Sequence, residues 1–93
     1  MINKPDTDKT QWSLLPFREL EEIARAFMAG NRKYSPDSWK SVSDKRKKYF
    51  DAAMRHLTAW HNGSELDESG CHPLAHAAAC ILILLWDKNN GGE

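Results

Sequence analysis

Apolar positions in this chain fall into three separated stretches, each repeating with the period of a helix rather than the alternation of a strand. In the first, Leu20, Ile23, Ala24 and Phe27 recur at i, i+3, i+4 and i+7, which predicts a helix from about Pro16 to Ala29. Pro16 suits a first turn because its missing N–H would have no partner there, and Gly30 suits the stop. Glu19, Glu21 and Glu22 lie in the early turns, where carboxylates suit the helix dipole. In the second stretch Phe50, Ala53, Met54, Leu57 and Trp60 or His61 form a stripe. Ser43 or Asp44 is the expected N-cap, and Asn62-Gly63 the expected end. In the third, Leu74, Ala77, Ala78, Ile81, Leu82, Leu84 and Leu85 cover almost the whole circumference of a helix opened by Pro73 and running to about Lys88. Such a helix belongs at the centre of a fold or between two subunits.

Between these stretches, residues 31–42 carry Ser35-Pro36-Asp37 and scattered aromatics without a period, and residues 64–72 form an acidic loop. No strand alternation and no internal repeat is present. The pattern therefore predicts an all-α fold, three main helices in a small bundle, with the core completed by oligomerisation. Residues 1–11 read as an N-terminal tail, residues 12–88 as one helical domain and residues 89–93 as a C-terminal tail.

Composition narrows the function classes. With 93 residues there is room for one core only, and that core is marginal alone, which favours an oligomer. The 41% hydrophobic and 28% charged shares are those of a soluble globular protein. Thirteen Lys and Arg balance thirteen Asp and Glu, which disfavours dedicated nucleic-acid binding through phosphate neutralisation. The apolar run Leu74 to Trp86 is too short to span a bilayer, and residues 1–10 carry no signal-peptide core. Cys71 and Cys80 read as reduced thiols, and the expected compartment is the cytoplasm.

Three side-chain sets carry candidate chemistry. Glu19 and Glu22 share a helix face at i, i+3, and Asp67 and Glu68 lie on a loop able to fold over it. Mg²⁺ takes such hard oxygen ligands, joining one or two carboxylates to substrate phosphates, although solvated surface carboxylates show the same spacing. Arg32, Lys33, Arg55 and Lys47 or Lys48 form an anion-binding set. Asp51 and Arg55 stand at the spacing of a helix salt bridge, and Lys45-Arg46-Lys47-Lys48 opposes the dipole of the second helix or simply forms a solvated face. His72, His76 and Cys80, with Cys71 adjacent, follow a four-residue spacing that zinc would accept. A core thiol at Cys80 and a hydrogen-bonded His76 are the simpler reading. No Gly-rich phosphate loop, nucleophile elbow or HExxH motif occurs.

The residues Trp12-Ser13-Leu14-Leu15-Pro16, Leu20-Glu21-Glu22-Ile23-Ala24, Gly30, Lys33-Tyr34, Trp39, Arg55-His56-Leu57, Ala59-Trp60, Gly63, Asp67-Glu68-Ser69-Gly70 and Leu74-Ala75-His76-Ala77-Ala78 occur in a specific order. That ordered set resembles the N-terminal domain of phage dATP/dGTP diphosphohydrolases, which are similar to the MazG-like all-α nucleotide pyrophosphatases. The resemblance covers roughly Trp12 to Leu85. It implies hydrolysis of a (deoxy)purine triphosphate to monophosphate and pyrophosphate, dependent on Mg²⁺ or Mn²⁺, by a dimer or tetramer. Carried over, it makes Glu22, Asp67 and Glu68 the metal ligands and His56 and Glu68 the catalytic residues. Lys33, Tyr34, Trp39, Arg55 and His76 become substrate contacts: Lys33 and Arg55 to phosphate, Tyr34 or Trp39 stacking on a base. The imidazoles of His56 and His76 are expected to orient carboxylates. The chain departs from the pattern in a shorter acidic loop around Glu65, in the order His72-Pro73, and in Cys80 where the family carries Asn. A second reading is a non-catalytic nucleotide-binding or protein-interaction module, and a third a structural helical oligomer.

Overall fold

The computed structural model describes residues 8–92, less the side chains of residues 31 and 32. Among the described residues there are three long helices and no strand, as the periodicity predicts: α1 (Phe17–Lys33), α2 (Lys45–His61) and α3 (Pro73–Asn89). Short 3-10 turns at Trp12–Leu14 and Ser38–Ser41 precede α1 and α2. Most of the predicted 1–11 tail lies outside the described residues. No helix among the described residues is long and apolar enough to cross a membrane.

The ends of α1 and α2 show which local signals decided. Gly30 does not stop α1. The helix continues one turn to Lys33, and closes where the Tyr34 N–H donates to the Gly30 carbonyl at 2.8 Å and the backbone turns extended. A single helical glycine costs only about 1 kcal/mol, whereas Pro36 disfavours helix at Ser35 outright. Asp44 holds the N-cap position of α2 but in a left-handed conformation, φ 53°, with no side-chain cap bond. The basic run that follows is absorbed locally. Lys45 Nζ donates to the Val42 carbonyl at 2.9 Å, Lys48 Nζ to Ser43 Oγ at 3.2 Å, and Lys47 pairs with Asp51 at 3.3 Å. Asp51 thus takes Lys47 rather than Arg55 as its helix partner. Gly63 ends α2 as expected, at φ 97°.

At α3 the cap is an imidazole. His72 Nδ1 accepts the Leu74 N–H at 3.0 Å, with Pro73 filling the first helical position. His72→Ala removes that acceptor and is expected to cost about 1 kcal/mol, read as a lowered thermal midpoint. This fixed role also takes His72 out of the zinc reading.

α3 is the hub. α2 and α1 both pack on it, and among the described residues their backbones do not approach each other closely. Residues near the start of α2 share a groove with the end of α3, so these helices run antiparallel. The early turns of α1 face the early turns of α3, so that pair runs parallel. The α1–α3 seam is built from small side chains, Ala26 against Ala75 and Ala79, flanked by Ile23 and Phe27. Small residues let helix axes approach closely. Trp39, in the 3-10 turn, closes the far end: it meets Phe27 edge-on at 6.0 Å and Trp86 at 5.0 Å.

Only part of the predicted stripe of α2 faces inward. Ala53 is buried and Leu57 half-buried, but Phe50, Met54 and Trp60 are exposed. What α2 turns to α3 is Tyr49, Ala53 and His56, at i, i+4 and i+7. The alanine-rich side of α3 leaves room for these amphipathic rings. Ile81, Leu82 and Leu85 of α3 are likewise exposed in the single chain.

Candidate functional site

The acidic loop is tied into a compact knot at the start of α3. The Asp67 N–H donates to the Cys71 carbonyl at 3.2 Å, and the Gly70 N–H to the Asp67 carbonyl at 3.0 Å. Gly70, at φ 81°, takes the left-handed conformation this turn requires. Asp67 Oδ1 accepts the Ser69 N–H at 2.8 Å and also the Ser69 hydroxyl, whose Oγ in turn accepts the Cys71 N–H at 3.2 Å. His76, one turn into α3, brings Nε2 to 3.0 Å from Asp67 Oδ2 and 2.9 Å from Ser69 Oγ. Both partners meet the same ring nitrogen. A nucleophilic triad needs Ser and Asp on opposite nitrogens, so this is a fastening, not a Ser-His-Asp relay.

Electrostatics follow this geometry. Burial pushes the Asp67 carboxyl up, but the Ser69 hydroxyl and amide, His76 and the Cys71 amide together outweigh it and hold it below the usual carboxylate range. His56 stacks on His76 with ring centroids 4.9 Å apart and planes 19° apart. Burial, then His76 and Arg55, lower its pKa against the opposing pull of Asp67. The unfolded chain therefore binds the His56 proton more readily than the fold does. Stability is full above the ordinary value of 6.5 and declines as the pH falls through it. Thermal midpoints measured from about pH 8 to pH 5 should show that decline, and His56→Phe, which keeps the stack, should flatten it.

Two adjoining compartments meet at His76. The first, about 570 Å³, is polar and is lined by Lys33, Asp67, Glu68, Ser69 and His76 over a floor of Ala26, Ala29 and Gly30. The second, about 710 Å³, is mostly apolar, with Phe27, Tyr34, Trp39, Val42, Tyr49, Ala79, Cys80 and Ile83 in its walls. Ala26, Gly30 and His76 line both. Lys33 Nζ stands 5.7 Å from the Tyr34 ring centroid, at the junction of charge and aromatic surface. The Glu68 carboxylate makes no hydrogen bond or ion pair with any described residue.

The structure thus brings together Lys33, Tyr34, Trp39, Asp67, Glu68 and His76 from the sequence-predicted set. It does not bring in the other three. Glu22 stands on the α1 face of Ala26 and Ala29 but a turn earlier, in a separate cavity of about 320 Å³ with Glu19, His72 and Leu74. Arg55 is exposed and lines neither compartment, although its charge reaches His56 and Cys80. His56 lies behind His76. No three His, Cys, Asp or Glu side chains among the described residues converge as a metal cage, which removes the zinc set as well. Two features were missed. Ala26, Ala29, Gly30 and Lys33, at i, i+3, i+4 and i+7, are a stripe of small residues ending in a cation, and Tyr49 is the α2 side chain in the apolar wall. The stripe was legible by spacing; Tyr49 was hidden by the more apolar Phe50 beside it.

The family model for the N-terminal region of dATP/dGTP diphosphohydrolases matches residues 2–93. The chain belongs to this family. It is 34% identical over 88 residues to a dATP/dGTP diphosphohydrolase of Salmonella phage PMBT28, an alignment covering 94% of this chain and 30% of the phage protein. No solved structure matches the chain. The chain spans about a third of the length of that relative.

Proposed function

We propose that this chain hydrolyses a purine nucleoside triphosphate to the monophosphate and pyrophosphate. The observation that carries the reading is the pair of compartments sharing the His76 wall. A nucleotide has the same division, an aromatic base at one end and a polyanion at the other. Phe27, Tyr34 and Trp39 offer ring surface to the base. Lys33 offers a cation to the phosphates, held at the C-terminal end of α1 where positive charge is stable.

Mg²⁺ usually rides on substrate phosphates with one or two protein carboxylates and several waters, so it needs no three-residue cage. Asp67 and Glu68 fit that modest demand, and Glu68 is free of competing partners among the described residues. Asp67 and Glu68 would hold the ion, which when bound offsets phosphate charge and polarises the P–O bonds. The chain's own residues do the rest. Ser69 and His76 hold Asp67 ionised and oriented. Glu68 accepts a proton from the attacking water, and Lys33 meets the charge that develops on the departing phosphates. His56 acts through its stack on His76, as a positioning residue. The exposed Phe50, Met54, Ile81, Leu82 and Leu85 support a homo-oligomer, and free Cys71 and Cys80 suit a reducing compartment such as the cytoplasm.

Pyrophosphate release from dATP, dGTP and their ribose counterparts, with and without Mg²⁺, tests the reading. Metal-dependent release from a purine nucleotide supports it. Nucleotide-induced thermal stabilisation without any release would instead establish the alternative, a non-catalytic nucleotide-binding module.

A further inference from the structure

Residues 38–43, the 3-10 turn and the two residues after it, are joined to the rest of the fold in an unusual way. The Lys40 N–H donates to the Asp37 carbonyl at 3.0 Å and the Val42 N–H to the Trp39 carbonyl at 3.3 Å, so the segment holds its own shape. Among the described residues, no hydrogen bond ties it to α1 or α3, and the only side chains that donate to it from outside are Lys45 and Lys48 of the adjoining α2. Ring contacts dock it instead. Trp39 meets Phe27 and Trp86 edge-on, and Lys40 Nζ lies 5.9 Å from the Trp86 ring centroid. On either side stands a left-handed residue, Asp37 at φ 60° and Asp44 at φ 53°, and these are the only non-glycine residues with positive φ among those described. Side chains disfavour that conformation, and it persists where surrounding contacts enforce it. The segment also gives Ser38, Trp39 and Val42 to the wall of the apolar compartment.

Resting on the nucleotide reading above, we infer that residues 38–43 are a lid over the apolar compartment, hinged at Asp37 and Asp44 and latched by Trp39, which swings out to admit a nucleotide and closes on its base. Two states oppose each other. Docked, Trp39 keeps its ring contacts while both hinges stay left-handed. Undocked, the hinges relax to ordinary backbone angles and Trp39 gives up Phe27 and Trp86. Hinges of mobile lids are a few loop or element-end residues that absorb the change in φ and ψ, and Asp37 and Asp44 stand at the starts of the 3-10 turn and α2. A base in the compartment adds ring contact to Trp39 in the docked state only, and a ligand shifts such an equilibrium by its difference in affinity for the two states. Phosphates in the other compartment, beside Lys33, make no such difference.

The test labels the protein with 5-fluorotryptophan and follows Trp39 by fluorine NMR, its signal assigned by its loss in Trp39→Phe. The probes are the α,β-methylene analogues of dGTP and dATP, which carry a base, and tripolyphosphate, which does not. The expected result is a Trp39 signal shared between docked and undocked positions in the free protein. It should settle at the docked position with either nucleotide analogue and stay shared with tripolyphosphate, while the exposed Trp60 of α2 does not move. Asp44→Gly and Asp44→Val remove the same carboxylate, but glycine accepts a left-handed φ and valine resists it. The ratio of docked to undocked lid is expected to be about tenfold lower in the valine variant than in the glycine one. Asp37→Gly and Asp37→Val repeat the comparison at the other hinge. A Trp39 signal that a bound analogue does not move, or equal docked fractions in the glycine and valine variants, overturns the lid while leaving nucleotide hydrolysis intact. A lid that closes on an analogue in a protein that releases no pyrophosphate sinks the hydrolytic reading and keeps this one. A protein to which neither analogue binds overturns both.

Discussion

Asp67→Ala is expected to lower pyrophosphate release by about a hundredfold or more, the scale on which removing a group aimed at developing charge is felt. One carboxylate serves two ends here. It lines the polar compartment beside Glu68 and Lys33, and it fastens the loop by accepting from Ser69 and His76. Two further variants separate those ends. Asp67→Asn keeps an oxygen for the Ser69 N–H but loses the charge, and should lose nearly as much turnover as alanine. Ser69→Ala keeps the charge but loosens the knot, and should lose only about tenfold. Turnover by Asp67→Asn at the wild-type rate would remove Asp67 from the chemistry and leave it a structural tie. The same substitution has a signature in acid. A carboxyl held below its usual range contributes stability above its unfolded pKa that is lost as the pH falls through the folded one, and Asp67→Asn should lack that acid limb.

Trp39→Ala should have the largest effect on the fold itself. The indole sits edge-on to Phe27 and Trp86, and Lys40 and Lys45 lie 5.9 and 5.8 Å from the Trp86 ring. This cluster joins the 3-10 turn to both α1 and α3, in a fold whose buried residues are mostly alanines. With so little large apolar volume elsewhere, losing the ring should cost about 3 kcal/mol, a drop of roughly 15 °C in thermal midpoint for a domain of this size. Trp39→Phe, which keeps an aromatic edge, should recover more than half of that. If the alanine variant melts with the wild type, the cluster is not what holds the turn in place.

How far the sequence could be read depended on whether a signal was local. The three helices were legible because a 3.6-residue period is written in consecutive residues, and Gly63 and Pro73 punctuate it correctly. Gly30 misled because a glycine stops a helix only when the next residues cannot continue it. Here Asn31 to Lys33 continue it, and the block is Pro36. That one turn carried Lys33 from a loop to the end of a helix facing the acidic knot. In α2 the large apolar residues predict the wrong inner face, because inner and outer are decided by α3, whose small residues accept Tyr49 and His56. Asp67, Glu68 and His76 were recoverable together because only a short loop separates them. Glu22 and Arg55 needed the relative placement of helices, which periodicity does not contain.

α3 carries both other helices, since the backbones of α1 and α2 approach it and not each other. Such a fold has an axle and two arms, and the arms need not move together. The α1 arm rests on a seam of alanines and bears the floor of both compartments, while the α2 arm puts Tyr49 in the apolar wall. A seam of alanines buries little apolar area, so α1 is expected to detach from α3 more readily than α2 does, which hydrogen exchange would report as weaker amide protection along α1.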